Sequence, residues 1–285
     1  MNGLYKYIKP ILPKKEVESK NLNEIVSNIE FVPTNYPSDL TDKEWMVIEK
    51  FFTYGNQSEH HKRSLVNAVL YLVKTGCQWR MLPNDFPPYS TVSSFFQRAK
   101  HSGLWLKINK ELVKLTREKD GRKSTPTYAL IDSQSVKTVL ASEERGIDGG
   151  KKIKGRKRHI VVDTMGNLLA VIVHAANIHD TKAGINPAKL AFKKYPTIEK
   201  FCGDDGYRKS FEEDVSLQLG LEVDISKRIK PIFEVLPKRW VVERTFSWLN
   251  HSRRLSKDYE YTTSSEEAMV TISHIHTLLR RHCFS

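Results

Sequence analysis

The chain changes character near Thr127, and this change constrains its fold more than any other feature of the sequence. Before it, apolar residues recur at helical intervals. After it come short apolar runs typical of strands, first three in a row and then alternating with helices, and two helices end the chain. This order predicts an α/β layer built on a mixed sheet. The predicted strands lie at 128–136, 159–163, 168–175, 198–203 and 221–225, and the predicted helices at 181–195, 209–219, 238–254 and 265–281.

The segment before the change predicts a small all-helical unit at 40–117. Thr41 and Glu44 have the spacing of a capping box, and Gly76 is a typical helix stop. Two interpretations stay open: a helix-turn-helix whose helix at 91–100 enters the major groove of DNA, or a bundle that supports the sheet or forms an oligomer surface. The predicted domains are an irregular N-terminal arm at 1–38, a helical DNA-binding or accessory domain at 39–120, and an α/β domain at 125–285.

The charge of the chain indicates an anionic partner. Lys and Arg number 46 against 33 Asp and Glu, a net charge of +13, and nucleic acid is the obvious polyanion. Three widely spaced cysteines fit neither a zinc site nor a disulfide framework, so we expect a reducing compartment. Because no apolar run approaches the roughly 20 residues that cross a bilayer, and no signal peptide is visible, we expect a cytoplasmic protein with no membrane partner.

Three acidic residues lie in settings that suit a metal site. Asp132 ends an apolar, buried-looking run at 128–132, Asp204 follows another such run, and Glu243 lies in an amphipathic helix rich in Arg and Trp. Carboxylates from two strand ends and a later helix can converge on Mg²⁺ in a site that cuts phosphodiesters. The alternatives are structural: a strand-end carboxylate bonded to a neighbouring amide, or an i,i+4 ion pair between Arg239 and Glu243.

Three further acids compete with this set. Asp205 adjoins Asp204, and because successive strand residues point to opposite faces, only one of the two can face the site easily. We favour Asp204, since Asp205 and Gly206 together are typical of a turn. Asp163 precedes the turn of a hairpin, and Asp180 precedes a helix as its expected cap, so structural roles suffice for both.

Basic residues provide candidate contacts to DNA backbone phosphates. The run at 151–158 is predicted to be a flexible loop between the first two strands. A charge run is often only a solvated surface, but aromatic and Arg-rich helices near the three acids favour phosphate binding. The candidates from the run and from the end of the later helix are Arg156, Lys157, Arg158, Arg253 and Arg254.

Several motifs together carry a resemblance to a known family. They include Ile131-Asp132-Ser133-Gln134, Gly155-Arg156-Lys157-Arg158-His159, Asp204-Asp205-Gly206-Tyr207 and Trp240-Val241-Val242-Glu243-Arg244. With them the chain resembles the DDE transposases of bacterial insertion sequences, in the group of insertion sequences four and five, over residues 38–262. One branch has a Tyr, Arg, Glu, Lys signature; Arg239 and Glu243 match it, but Leu236 and Asn250 do not. The pattern fits the five-like branch better.

The resemblance implies a ribonuclease-H-like fold in which Asp132, Asp204 and Glu243 correspond to the family's catalytic and metal-binding acids. Asp132 would be the ligand shared by two Mg²⁺ (or Mn²⁺) ions per active site. Arg239 and Arg244 would hold the scissile strand or the carboxylates.

The implied function is a transposase that binds the terminal inverted repeats of its element and catalyses metal-dependent strand cleavage and strand transfer into target DNA. The family also implies a homodimer on double-stranded DNA, and so a cytoplasmic, nucleoid-associated protein. Two alternatives stay open: a nuclease of the same fold that cuts without joining, and a transposase-derived DNA-binding protein.

Overall fold

Among the described residues, four α-helices precede the sheet, and two of their expected boundary signals, at Thr41 and Gly76, are present. The Thr41 hydroxyl accepts a hydrogen bond from the Glu44 backbone N–H, while the Glu44 carboxylate accepts one from the Thr41 N–H at 2.8 Å, so the capping box is confirmed. Gly76 ends the second helix with φ of 72°, in the left-handed region that favours glycine. The helices are α1 (Asp42–Ile48), α2 (Lys62–Thr75), α3 (Tyr89–His101) and α4 (Leu104–Lys119).

The structure is a computed structural model, which describes residues 36–52, 59–139, 141–226 and 239–284. Most of the predicted arm at 1–38 therefore lies outside the described residues. Residues 36–285 form one compact unit, in which α4 packs against the sheet and against the last helix. No helix in the described ranges is long and apolar enough to span a bilayer.

In the part of the chain that the structure describes, six strands form one mixed sheet. Its order is β2-β3-β1-β5-β6, and β4 also pairs with β3. The pairs β1–β3 and β3–β4 are antiparallel, whereas β1–β5 and β5–β6 are parallel. Without the short β2, the order is β4-β3-β1-β5-β6, which is the ribonuclease-H-like arrangement that was expected. The strands are β1 (Tyr128–Lys137), β2 (Gly146–Asp148), β3 (Ile153–Asp163), β4 (Leu168–Ala175), β5 (Lys200–Asp204) and β6 (Glu222–Ser226).

Helices cover both faces of this sheet. On β3 the adjacent residues Lys157 and Arg158 point to opposite faces; Lys157 pairs with Asp180 of α5, and Arg158 pairs with Glu266 of α9. α8 packs against β1, β3 and β5, and α6 packs against β3 and β4. The remaining helices are α5 (Asp180–Ala183), α6 (Ile185–Lys194), α7 (Ser210–Leu219), α8 (Arg239–Asn250) and α9 (Thr263–Phe284).

Three element predictions need correction. The basic run is not a flexible loop, because β3 begins at Ile153 and takes most of the run into the sheet. The helix expected at 181–195 is two helices that meet at Gly184, and the helix expected at 238–254 ends at Asn250. The many charges of the run made an exposed loop the expected structure. In the fold three of these charged residues are buried instead, because acidic partners from other parts of the chain pair with them.

A buried bridge of hydrogen bonds joins α4, β4 and α9. The His274 Nε2 accepts from the Leu168 N–H at 3.1 Å, so the proton of the neutral ring is on Nδ1, which lies 2.9 Å from Asn109 Oδ1. The Asn109 amide donates in turn to the Leu168 carbonyl at 2.8 Å. Burial, and after it the positive charge of Arg281, lower the pKa of His274 to about 3.

This bridge should make the fold sensitive to acid. The pKa of His274 in the folded chain lies below its ordinary 6.5, so the unfolded chain binds a proton that the folded ring excludes. The stability that the neutral His274 ring contributes to the fold is complete above pH 6.5. It is lost as the pH falls toward 3, at up to about 1.4 kcal/mol per pH unit. Urea denaturation between neutral and mildly acidic pH should show a shallower loss of stability in His274→Gln. An equal slope in both proteins would contradict the assignment.

Candidate active site

Asp132 lies in the middle of β1, two residues beyond the part of that strand that pairs with β5, and Asp204 is the last residue of β5, so the expected strand-end position is correct for Asp204 and wrong for Asp132. The β1–β5 ladder runs from Tyr128 opposite Lys200 to Leu130 opposite Cys202, and the same offset brings Asp132 level with Asp204. Residues that are level on adjacent strands share a face of the sheet. One small cavity is lined by both carboxylates and by residues of β1, β5, β6 and α8, namely Leu130, Ile131, Asp132, Cys202, Gly203, Asp204, Ser226 and Val242.

Glu243 is not among the residues that line this cavity. Its neighbour Val242 is buried against the cavity, whereas Glu243 is exposed. Successive residues of a helix point about 100° apart, so Val242 facing inward turns Glu243 aside. Among the described residues, no group of three or more His, Cys, Asp and Glu side chains is arranged to hold a metal ion. The structure therefore brings Asp132 and Asp204 together, and the role of Glu243 as third ligand stays a prediction.

The local contacts of Asp204 and Asp205 differ. Asp204 Oδ1 accepts from the Gly206 N–H at 2.9 Å, which orients its carboxylate at the start of the 3₁₀ turn Asp205–Tyr207. Asp205 is exposed and pairs with Arg208 at 2.5 Å. Since Asp204 alone of the two lines the cavity, it is the better candidate ligand.

Tyr207 places a buried phenol close to the carboxylates, and the sequence reasoning gave it no role. Burial raises its pKa well above the ordinary value, and the negative charges of Asp132, Asp180 and Asp204 raise it further. The hydroxyl lies near Ser133, but it makes no hydrogen bond of good geometry within the described part of the chain. Tyr207 therefore keeps its proton beside the acids. In the sequence, the one feature that connected Tyr207 with the site was its place in the motif Asp204-Asp205-Gly206-Tyr207.

Asp163 and Asp180 have different roles. Asp163 is fully buried, pairs with Arg117 at 2.5 Å and accepts from the Met165 and Asn167 N–H groups, so its structural role in the hairpin is confirmed. Asp180 is not the cap that was expected, because His179 caps α5 and the Asp180 carboxylate points toward β1 and β3.

Four of the basic candidates are inside the protein. Arg156 pairs with Asp258 at 2.9 Å, Lys157 with Asp180 at 3.0 Å, Arg158 with Glu266, and Arg254 with Glu260 at 2.6 Å. All four cationic side chains are buried, and leaving a buried carboxylate without its partner is costly. The prediction that Arg156, Lys157, Arg158 and Arg254 contact phosphates is therefore wrong for this structure.

The other three arginines differ from these. Arg253 is exposed. The Arg244 guanidinium lies between the rings of Trp240 and Trp248, with centroids at 4.3 and 4.5 Å, and donates to the Met165 carbonyl at 2.9 Å. Burial, followed by the charge of Arg281, lowers the pKa of Arg244. The side chain of Arg239 lies outside the described residues. DNA contact by these three arginines stays a prediction.

Comparisons with known proteins agree with this architecture. Residues 40–109 match the family described as "Putative transposase of IS4/5 family", and residues 123–278 match "Transposase DDE domain". The "Putative transposase for insertion sequence element IS402" of Burkholderia cepacia is 35% identical over 114 residues, 37% of this chain. The chain spans about half of that relative, 54% of its length.

Among solved structures, one chain of the "Crystal structure of the Mos1 mariner paired end complex with Mn" aligns with 92% of this chain and 89% of its own length. The sequence identity is 13% and the TM-score is 0.24, which is too low to support a conclusion about the fold or function of this chain. The sequence matches are decisive, because the DDE domain alone covers more than half of the chain. The resemblance is confirmed: this chain belongs to the DDE transposases of IS4/5-type insertion elements.

Proposed function

We propose that the protein binds the ends of its own insertion element and catalyses metal-dependent DNA cleavage and strand transfer. The observation that carries this proposal is the pair of carboxylates, Asp132 and Asp204, which line one cavity and come from the neighbouring parallel strands β1 and β5. The cavity lies within the part of the chain that matches the DDE domain.

The donors at this cavity fit a divalent cation. Carboxylate oxygens are the ligands that Mg²⁺ and Mn²⁺ prefer, and two like charges on one cavity repel each other unless a cation offsets them. We propose two such ions per site, with Asp132 as the shared ligand and with Asp204 and Glu243 each completing one ion. Bound there, they supply activation of the attacking oxygen and stabilisation of the leaving oxygen.

The chain's own residues orient these acids. The Ser133 N–H donates to Asp132 Oδ1 at 2.7 Å, and the Gly206 N–H holds Asp204 Oδ1 at 2.9 Å. The protonated Tyr207 phenol is available as a hydrogen-bond donor beside them. No covalent link between protein and DNA is required, because the nucleophile is water in cleavage and a DNA 3′-hydroxyl in joining.

Double-stranded DNA is the proposed partner, both as terminal inverted repeats and as target. The net charge of +13 favours it, and Arg239, Arg244 and Arg253 are the remaining candidate contacts. We further propose a homodimer on paired DNA ends, action at the nucleoid in the cytoplasm, and a DNA-binding or accessory role for the helical part at 39–120.

The experiment uses a duplex that carries the inverted repeats flanking the gene, together with a circular target. We expect Mg²⁺-dependent nicking at the element end and covalent joining of the 3′-hydroxyl to the target. Asp204→Ala should remove both activities, whereas Asp205→Ala should keep them, because Asp205 faces solvent with Arg208. Nicking without joining would indicate a nuclease, and binding without nicking would indicate a regulator. The reverse pattern in the two variants would make Asp205 the ligand.

A further inference from the structure

Behind the candidate site, a buried lysine and two acids hold the hydroxyl groups of β1. Successive strand residues alternate between faces, so Ser133 and Ser135 lie on the opposite face of β1 from Asp132. The Ser133 hydroxyl donates to Asp180 Oδ1 at 2.9 Å, and the Ser135 hydroxyl donates to Asp148 Oδ2 at 2.5 Å.

Lys157 fixes the Asp180 carboxylate in this position. Its Nζ donates to Asp180 Oδ1 at 3.0 Å and to the Ile178 carbonyl at 3.1 Å, and it lies 3.8 Å from Asp148. A buried ammonium group needs such partners, so the lysine and its acceptors have little freedom to move. Lys157, which was predicted to bind phosphate, instead holds the Asp180 carboxylate on the far side of β1 from Asp132.

Ser133 connects this arrangement to the candidate metal ligand. Its backbone N–H donates to Asp132 Oδ1 at 2.7 Å, while its side chain donates to Asp180. Ser133 therefore links the Asp132 carboxylate, through its backbone, to Asp180, through its side chain. If Ser133 lost its tether to Asp180, the peptide N–H that orients Asp132 would be less constrained.

The same region contacts the turn that follows the second candidate ligand. The ring of Tyr207, three residues after Asp204, packs edge-on against His159 with 5.9 Å between centroids. His159 Nε2 lies 3.5 Å from Asp180 Oδ1. Asp180 is therefore close to Ser133, which contacts Asp132, and to His159, which packs against the turn that follows Asp204.

We infer that Asp180, held by Lys157, is a positioning residue that acts through Ser133 to orient the Asp132 carboxylate for a divalent cation. This inference rests on the proposed function. Partners that orient a metal ligand typically change metal affinity or activity by about 10- to 100-fold when they are removed.

Ser135 provides a matched control on the same strand and face. Its hydroxyl also donates to a carboxylate near Lys157, but it lies two residues further along β1 from Ser133, or roughly 7 Å at the rise of a strand. Loss of either hydroxyl should affect stability similarly, and only Ser133 adjoins Asp132.

The test measures Mn²⁺ binding by electron paramagnetic resonance, and the Mn²⁺ dependence of cleavage, on the full chain with DNA. Ser133→Ala is expected to weaken Mn²⁺ binding and to raise the half-saturating Mn²⁺ concentration by about 10- to 100-fold. Ser135→Ala should stay close to the unmutated chain. Ser133→Thr, which keeps the hydroxyl, should restore most of the affinity, and DNA affinity should be the same in all variants.

The inference is overturned if Ser133→Ala binds Mn²⁺ like the unmutated chain, or if Ser135→Ala weakens binding equally. Asp132→Ala in the same assay separates this failure from a failure of the proposed function. Loss of Mn²⁺ in Asp132→Ala supports the metal site whatever Ser133 does. Unchanged Mn²⁺ binding in Asp132→Ala would remove both proposals.

Discussion

Asp132→Ala is expected to abolish strand cleavage, with a loss of about 10³-fold or more, equivalent to at least about 4 kcal/mol of transition-state stabilisation. The reason is its position as the proposed shared ligand on β1, level with Asp204. Single-turnover cleavage of an element-end duplex measures the effect. DNA affinity should not change, because the substitution removes a carboxylate from a cavity and no cationic group.

Thermal unfolding gives an independent measure of the same substitution. A cation that binds only the folded chain raises its stability with concentration, so Mg²⁺ should raise the melting temperature of the unmutated protein. Asp132→Asn should lose this response, while Asp205→Asn, whose carboxylate is exposed, should keep it. Normal cleavage by Asp132→Ala would refute the proposed active site.

Asp258→Ala is expected to lower the free energy of unfolding by about 3–5 kcal/mol, because it leaves the buried charge of Arg156 without its counter-ion. Both side chains of this pair are 0% exposed, and their closest atoms lie 2.9 Å apart. Asp258 Oδ1 also accepts from the Glu260 N–H at 2.9 Å, so a second contact is lost.

Chemical denaturation of Asp258→Ala and of Glu111→Ala compares a buried pair with an exposed one. Glu111 pairs with Lys50 at 2.9 Å, but the Lys50 side chain is 58% exposed, and exposed pairs contribute about 0–1 kcal/mol. Equal losses in the two variants would show that the Arg156–Asp258 pair is not the anchor that its burial indicates.

The sequence predicted the architecture where local signals and strand periodicity agree. The capping box at Thr41, the glycine stop at Gly76 and the runs that became β1, β4 and β5 all specify their own conformation. The start of β3 was missed, because a run of Arg and Lys residues is locally typical of an exposed loop. Their partners, such as Glu266, come from helices that only the folded chain brings near.

In the candidate site, too, local features could be predicted from the sequence and long-range contacts could not. Asp132 and Asp204 were both found from the sequence, and the parallel pairing of β1 with β5 brings them to one cavity, although only Asp204 is at a strand end. Asp180 was taken for a helix cap, and its contact with Ser133 spans 47 residues of sequence that no local signal connects. The orientation of Glu243 depends on how α8 is rotated over the sheet, which periodicity does not determine.

The ionic partner of Arg156 lies 102 residues further along the chain. During synthesis, the ribosome has therefore completed β1, β3, β4 and β5 long before Asp258 leaves the exit tunnel. Until then, the Arg156 guanidinium on β3 lacks the carboxylate that neutralises it in the folded protein. The buried pair of Arg156 and Asp258 can therefore form only after residue 258 has been synthesised, so any shorter nascent chain holds the sheet without this contact.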